Sequence, residues 1–169
     1  EIIIDLSKKN PMNRLLQGEV GSGKTVIAAL ACYLSYLNSY KSLLMAPTEI
    51  LANQHHKTLI ELFKNTKVKI GLQTSSRKNS KLKLSDFDII VGTHSVIAKK
   101  FEIEKVGLVI IDEQHRFGVK QREEIKNKGI NPHILTMTAT HIPRTVALTL
   151  YGELDISLLD EMPVGRLPI

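Results

Sequence analysis

Eight residues constrain this chain more than any others: Gly18, Glu19, Val20, Gly21, Ser22, Gly23, Lys24 and Thr25. They fit the spacing Gly-x4-Gly-Lys-Ser/Thr of a phosphate-binding loop. Leu15 and Leu16 lead in as an apolar stretch, and Val26 to Leu37 lead out as a helix-compatible one. Strand, glycine turn and helix is the order that such a loop demands. Glycines let backbone N–H groups converge without Cβ clashes. With the helix N-terminus, those donors form a cradle for anionic phosphates. In this reading Lys24 reaches the β and γ phosphates of ATP, and Thr25 offers its hydroxyl to Mg²⁺. The plainer alternative is a glycine-rich turn that only caps a helix.

The rest of the composition fits one globular domain of 169 residues, 43% apolar and 24% charged. A net charge of +6 is compatible with a nucleic-acid partner. One cysteine, Cys32, excludes an internal disulfide and a cysteine-based metal site. It reads as a small buried hydrophobe in a reducing, cytoplasmic setting. No apolar run approaches the length of a membrane span, so no membrane partner is expected. Residues 1–5 lack a basic leader, and both chain ends look like cuts within a longer protein.

Strands alternate with helices along the chain. Strands are expected at 1–6, 12–16, 42–46, 68–72, 88–91, 106–111, 133–137 and 154–159. Helices are expected at 24–38, nearly all apolar and hence deeply buried, and at 49–63, capped by Thr48. In the second helix Ile50, Leu51, Leu59, Ile60, Leu62 and Phe63 suit one broad apolar face. Further helices are expected near 94–99, 117–128 and 143–151, and residues 73–85 read as an exposed loop with a short helix. The pattern predicts an α/β domain with a mostly parallel central sheet flanked by helices on both faces.

The apolar strand Leu108 to Ile111 runs into Asp112 and Glu113. Both this strand end and the glycine loop belong at the carboxyl edge of such a sheet, where ligands bind. Asp112 is then the Mg²⁺ holder, through a bridging water. Glu113 is the general base that activates water. Gln114 and His115 follow, placed either to sense the nucleotide or simply at the surface. Thr136, Thr138 and Thr140 end another strand; their hydroxyls either bridge the nucleotide site to a second surface or reflect ordinary β-propensity.

Taken together, these segments resemble the first motor domain of a superfamily 2 helicase, a RecA-like P-loop domain. The likeness is carried by Gly18–Thr25, Ala46–Ala52, Gly92–His94, Asp112–His115 and Thr138–Thr140. The wording of Met12–Gly18, Asp112–Val119 and Ile142–Leu150 is closest to the branch that remodels forked or branched DNA in recombination and repair. The rival branch is the transcription-repair coupling translocases; Ser22 and Gln114 favour the former. The resemblance implies that Lys24, Thr25, Asp112 and Glu113 serve ATP and Mg²⁺. It implies that Gln114, His115, Thr138 and Thr140 couple hydrolysis to movement. Pro47, Thr48 and Glu49 open a helix whose N-terminus would meet a DNA phosphate, and Gly92, Thr93 and His94 would share that DNA-facing surface.

Glu19 stands where this family usually has Asp, and His141 where it usually has Pro. The segment Gln73–Ser76 lacks a glycine often found there, leaving Arg77, Lys78 and Lys81 as its phosphate-contacting candidates or as solvated charges. The resemblance also implies a domain over 1–160, the start of a linker at 161–169, a second RecA-like lobe beyond it, and a DNA-gripping wedge domain ahead of residue 1. A lobe by itself is expected to bind nucleotide weakly, hydrolyse it poorly and not unwind DNA.

Overall fold

The structure is a computed structural model that describes residues 1–74, 84–93, 103–112, 131–140 and 154–160. Seven strands form one sheet: β1 (Asn13–Gly18), β2 (Lys41–Met45), β3 (Ile70–Gln73), β4 (Ile89–Gly92), β5 (Val106–Asp112), β6 (His133–Thr138) and β7 (Asp155–Leu159). Their order is β3-β4-β2-β5-β6-β1-β7, and every pairing is parallel. The described helices are α1 (Ile2–Leu6), α2 (Lys24–Leu37) and α3 (Glu49–Phe63), with a 3-10 turn at Leu84–Asp86.

Near-continuous apolar strands are the signature of a sheet buried on both faces. Alternation along each strand divides their side chains between two clusters. Leu16, Leu44, Ile89, Val91, Leu108, Ile110, Leu135 and Met137 pack with α2 and α3 on one face. Met45, Ile90, Val109, Ile111 and Ile134 form the second cluster, which Leu84 and Ile103 join. The helices expected near 94–99, 117–128 and 143–151 lie outside the described residues, as does the expected linker at 161–169.

Three expectations need correction. Residues 1–6 form a helix, not a strand: Ile2 and Asp5 are buried, while Ile3 and Ile4 are 65% and 62% exposed. A strand would have turned Ile2 and Ile4 to the same side. The helix instead delivers Asp5 to Arg14 on β1, with N···O at 2.6 Å, and Lys8 adds a second contact at 2.7 Å. Helix α2 is not buried all round. It lays Ala28, Ala31, Cys32 and Ser35 on the sheet, small side chains that permit close approach, and leaves Val26, Leu30 and Leu37 exposed. Helix α3 buries Ala52, His55, Leu59 and Phe63, whereas Ile50, Ile60 and Leu62 face out. Cys32 is fully buried as expected, and burial pushes its thiol up to about 12.

Two titratable groups link this frame to pH. The Lys8 ammonium and the Arg14 guanidinium hold the Asp5 carboxyl below its ordinary range. Its contribution is therefore present above the unfolded value near pH 4 and is lost as pH falls through the lower folded value. Burial holds His133 below its ordinary range, and its Nδ1 accepts the Met12 N–H at 3.0 Å. That contribution is complete above about pH 6.5 and is lost as pH falls through the depressed folded value. Urea midpoints should thus fall in two steps on acidification. His133→Asn, which retains an acceptor, should flatten the first step, and Asp5→Asn the second.

Candidate nucleotide and nucleic-acid site

Parallel pairing fixes which residues share the carboxyl edge of the sheet. Gln17 of β1 is level with Thr138 of β6, and Met137 with Asp112 of β5. Strand β6 alone separates β1 from β5, so the glycine loop and Asp112 start about 10 Å apart, two strand spacings. Thr138 ends the strand between them.

The loop departs from β1 at Gly18 and enters α2 at Lys24. Gly21 and Gly23 have φ of 83° and 94°, the left-handed region that L side chains avoid. Gly23 is the N-cap of α2, and no side chain caps that end. A helix of 14 residues thus opens with its first N–H groups turned to the loop rather than to a capping side chain. The Lys24 ammonium curls over the loop and donates to the Gly18 and Glu19 carbonyls, each at 2.7 Å. Ser22 Oγ is buried with no hydrogen-bond partner among the described residues. An orphaned hydroxyl, an ammonium and an uncapped helix end form a donor-rich set, which suits phosphate oxygens.

The two key glycines are required for different reasons. A Cβ at Gly18 would lie 2.6 Å from Ser22 Oγ and 2.8 Å from Leu159 Cβ. A Cβ at Gly23 would meet nothing within 4 Å, but φ of +94° strains any L residue there, by about 1–2 kcal/mol. Gly18→Ala should therefore lower the melting temperature by pushing β7 away, and Ser22→Ala should not restore it. Gly23→Ala should weaken nucleotide binding about tenfold, the equivalent of such strain, with a smaller effect on melting.

Asp112 closes β5 and is only 9% exposed. Its Oδ2 lies 2.6 Å from Nε2 of His55, itself 9% exposed, on α3. No sequence motif singles out His55. The signal was there: it occupies the apolar stripe Ala52, His55, Leu59, Phe63, where an imidazole needs a polar partner. None singles out Gln17 either. It is 3% exposed, and neither amide atom has a partner among the described residues. Thr138 Oγ1 and Thr140 Oγ1 are 2.8 Å apart, and the Thr140 N–H donates to Thr138 Oγ1. Glu113, Gln114 and His115 lie outside the described residues.

A second group stands on the neighbouring strands of the same edge. Strands β2 and β4 pair with Met45 level with Gly92, and Ala46 N–H donates to the Gly92 carbonyl at 2.8 Å. This brings Pro47 and Thr48 beside Gly92 and Thr93. Thr48 is the N-cap of α3, as expected, and its Oγ1 accepts from Leu51 N–H at 3.2 Å. Thr48 is exposed, Pro47 and Glu49 are half-buried, and Gly92 and Thr93 are buried. His94 lies outside the described residues.

A parallel sheet with a glycine loop between its first strand and a helix, and a carboxylate at the end of a nearby strand, defines a RecA-like P-loop domain. The family model for DEAD/DEAH box helicases matches residues 2–149, and the chain belongs to that family. It is 51% identical to the ATP-dependent DNA helicase RecG of Bacillus subtilis and 50% identical to that of Aquifex aeolicus. Each of these matches covers 98% of this chain but only 25% and 22% of the relative. Thus the chain spans about a quarter of the length of the curated relatives it matches. A structure of RecG bound to a three-way DNA junction superposes with a TM-score of 0.86 at 42% identity, over all of this chain and 24% of that one. Yeast Dbp5 bound to RNA and ADP BeF3 shares the fold, with a TM-score of 0.70 at 22% identity. Among the described residues no helix is long and apolar enough to cross a membrane.

Proposed function

We propose that this chain is the ATP-binding motor lobe of a DNA helicase or translocase that remodels forked and branched DNA. The observation that carries the reading is the sharing of one sheet edge. The loop, Thr138 and Asp112 occupy the ends of β1, β6 and β5, and Thr48 and Gly92 lie on the adjoining β2–β4 side. Similarity to RecG over the whole chain supports the choice of branched DNA.

In this reading Gly18, Glu19, Val20, Gly21, Ser22 and Gly23 surround the phosphates with backbone and hydroxyl donors, and Lys24 neutralises their charge. Thr25 and Asp112 hold Mg²⁺, an oxygen-seeking ion for which a hydroxyl and a carboxylate are fitting donors. Bound Mg·ATP supplies the phosphoanhydride whose cleavage powers movement. The Glu113 carboxylate takes a proton from the attacking water. Gln114, His115, Thr138 and Thr140 relay the state of the site. The N-terminus of α3, with Pro47, Thr48 and Glu49, receives a DNA phosphate; Gly92, Thr93 and His94 shape the adjoining surface. Residues 1–160 form the lobe and 161–169 begin a linker to a second RecA-like lobe. A wedge domain ahead of residue 1 would grip the junction.

The test is ATP hydrolysis by the full-length protein with a three-way junction or a linear duplex of equal length. Stronger stimulation by the junction is expected. Equal stimulation, or none, would contradict the branched-DNA reading. The 169-residue lobe alone should bind nucleotide and turn it over slowly, since an arginine from a second lobe is worth about 10³–10⁵-fold in related NTPases.

A further inference from the structure

The contact between His55 and Asp112 joins residues 57 positions apart in the chain, at 2.6 Å and almost wholly out of water. We infer that His55 is a positioning residue for the Mg²⁺ site: by donating from Nε2 to Asp112 Oδ2 it fixes the carboxylate and leaves Oδ1 for the metal. This inference rests on the reading of Asp112 as a Mg²⁺ holder, and extends it to a residue that no motif at the loop identifies.

First, His55 costs the fold something. It interrupts the buried stripe Ala52, Leu59, Phe63, where leucine would pack without a polar group to satisfy. Second, its partner is a carboxylate at a strand end, a residue with two acceptor oxygens and a terminal torsion that rotates broadly unless held. One short hydrogen bond from a rigid helix removes that freedom. Asp112 is an acceptor when ionised, so the imidazole carries its proton on Nε2. Third, the donor engages a single oxygen. Partners that orient a metal-binding carboxylate in this way, without touching the metal, commonly alter metal affinity or activity by about 10–100-fold when removed. The arrangement also ties α3, whose N-terminus lies on the proposed DNA side at Thr48, directly to the nucleotide side of the edge.

The experiment uses the full-length protein and a fluorescent ATP analogue, titrated with Mg²⁺ and also measured in EDTA. His55→Leu should raise the Mg²⁺ concentration for half-maximal binding about tenfold and leave affinity in EDTA unchanged. His55→Gln, whose amide nitrogen extends about as far as Nε2, should stay close to the parent. His55→Asn, which is too short, should behave like His55→Leu; the Gln and Asn pair carries the test if the leucine variant does not fold. In an Asp112→Asn background His55→Leu should add no further shift in Mg²⁺ dependence. Unchanged Mg²⁺ dependence in both His55→Leu and His55→Asn, with a clear loss in Asp112→Asn, would overturn the inference alone. Unchanged Mg²⁺ dependence in Asp112→Asn would instead overturn the metal-site reading beneath it.

Discussion

Lys24→Ala in the full-length protein is expected to lower DNA-stimulated ATP hydrolysis by at least about 10²–10³-fold, the typical loss when one donor to developing charge is removed. Lys24 is the one cation among the eight loop residues. Its ammonium lies over the loop mouth, on the Gly18 and Glu19 carbonyls. Lys24 is only half-buried, and the Gly18 and Glu19 carbonyls can turn to water once the ammonium is gone. Melting of the variant should stay within about 1 kcal/mol of the parent in stability. Phosphate release at saturating DNA, together with a thermal melt, separates the two effects. Near-parental turnover in the variant would remove the loop from the mechanism.

The second large effect is on stability. Arg14 is 8% exposed and Asp5 is 4% exposed. Two guanidinium nitrogens reach Asp5 Oδ2, at 2.6 and 2.7 Å. The same side chain contacts Glu1 at 3.1 Å and Ser157 at 2.8 Å, so it joins α1, β1 and β7. Removing one partner of a buried pair typically costs about 3–5 kcal/mol. Lys8 remains on Asp5, which places Arg14→Met near the lower end, about 3 kcal/mol. For a domain of this size that is a drop of about 6–12 °C in melting temperature. Asp5→Asn combined with Arg14→Met should recover part of the loss, because no buried charge is then left unpaired. A single variant that melts like the parent would show that α1 is not held by this pair.

How much of this was legible in the sequence depends on the range of the interaction. The glycine loop, the Thr48 cap and the apolar strand ending at Asp112 are local patterns, and each stands within a few residues of its expected place. The short run Ile2–Ile4 carries no period long enough to tell strand from helix. Its state is settled by Arg14, which draws Asp5 inward from nine positions away. In α3 the apolar residues suggested a face containing Ile50, Ile60 and Leu62. The observed face is set by the 3-4-4 spacing of Ala52, His55, Leu59 and Phe63, which a polar histidine disguises. The pairing of His55 with Asp112 arises only when β5 and α3 are brought together by the fold. Apolar residues on the outer side of α2, such as Leu30 at 56% exposed, gave an impression of full burial that the small-residue stripe against the sheet corrects.

The measurement that bears most directly on the central claim is hydrogen–deuterium exchange of the full-length protein with Mg²⁺ and a non-hydrolysable ATP analogue, and separately with a DNA junction. Two footprints on one sheet edge are expected. Nucleotide should slow exchange in peptides covering 18–25 and 110–113, and the junction should slow it in those covering 46–51 and 92–94. A nucleotide footprint that spares 18–25, or a junction footprint confined to that loop, would contradict the division of the edge into a phosphate site and a DNA surface.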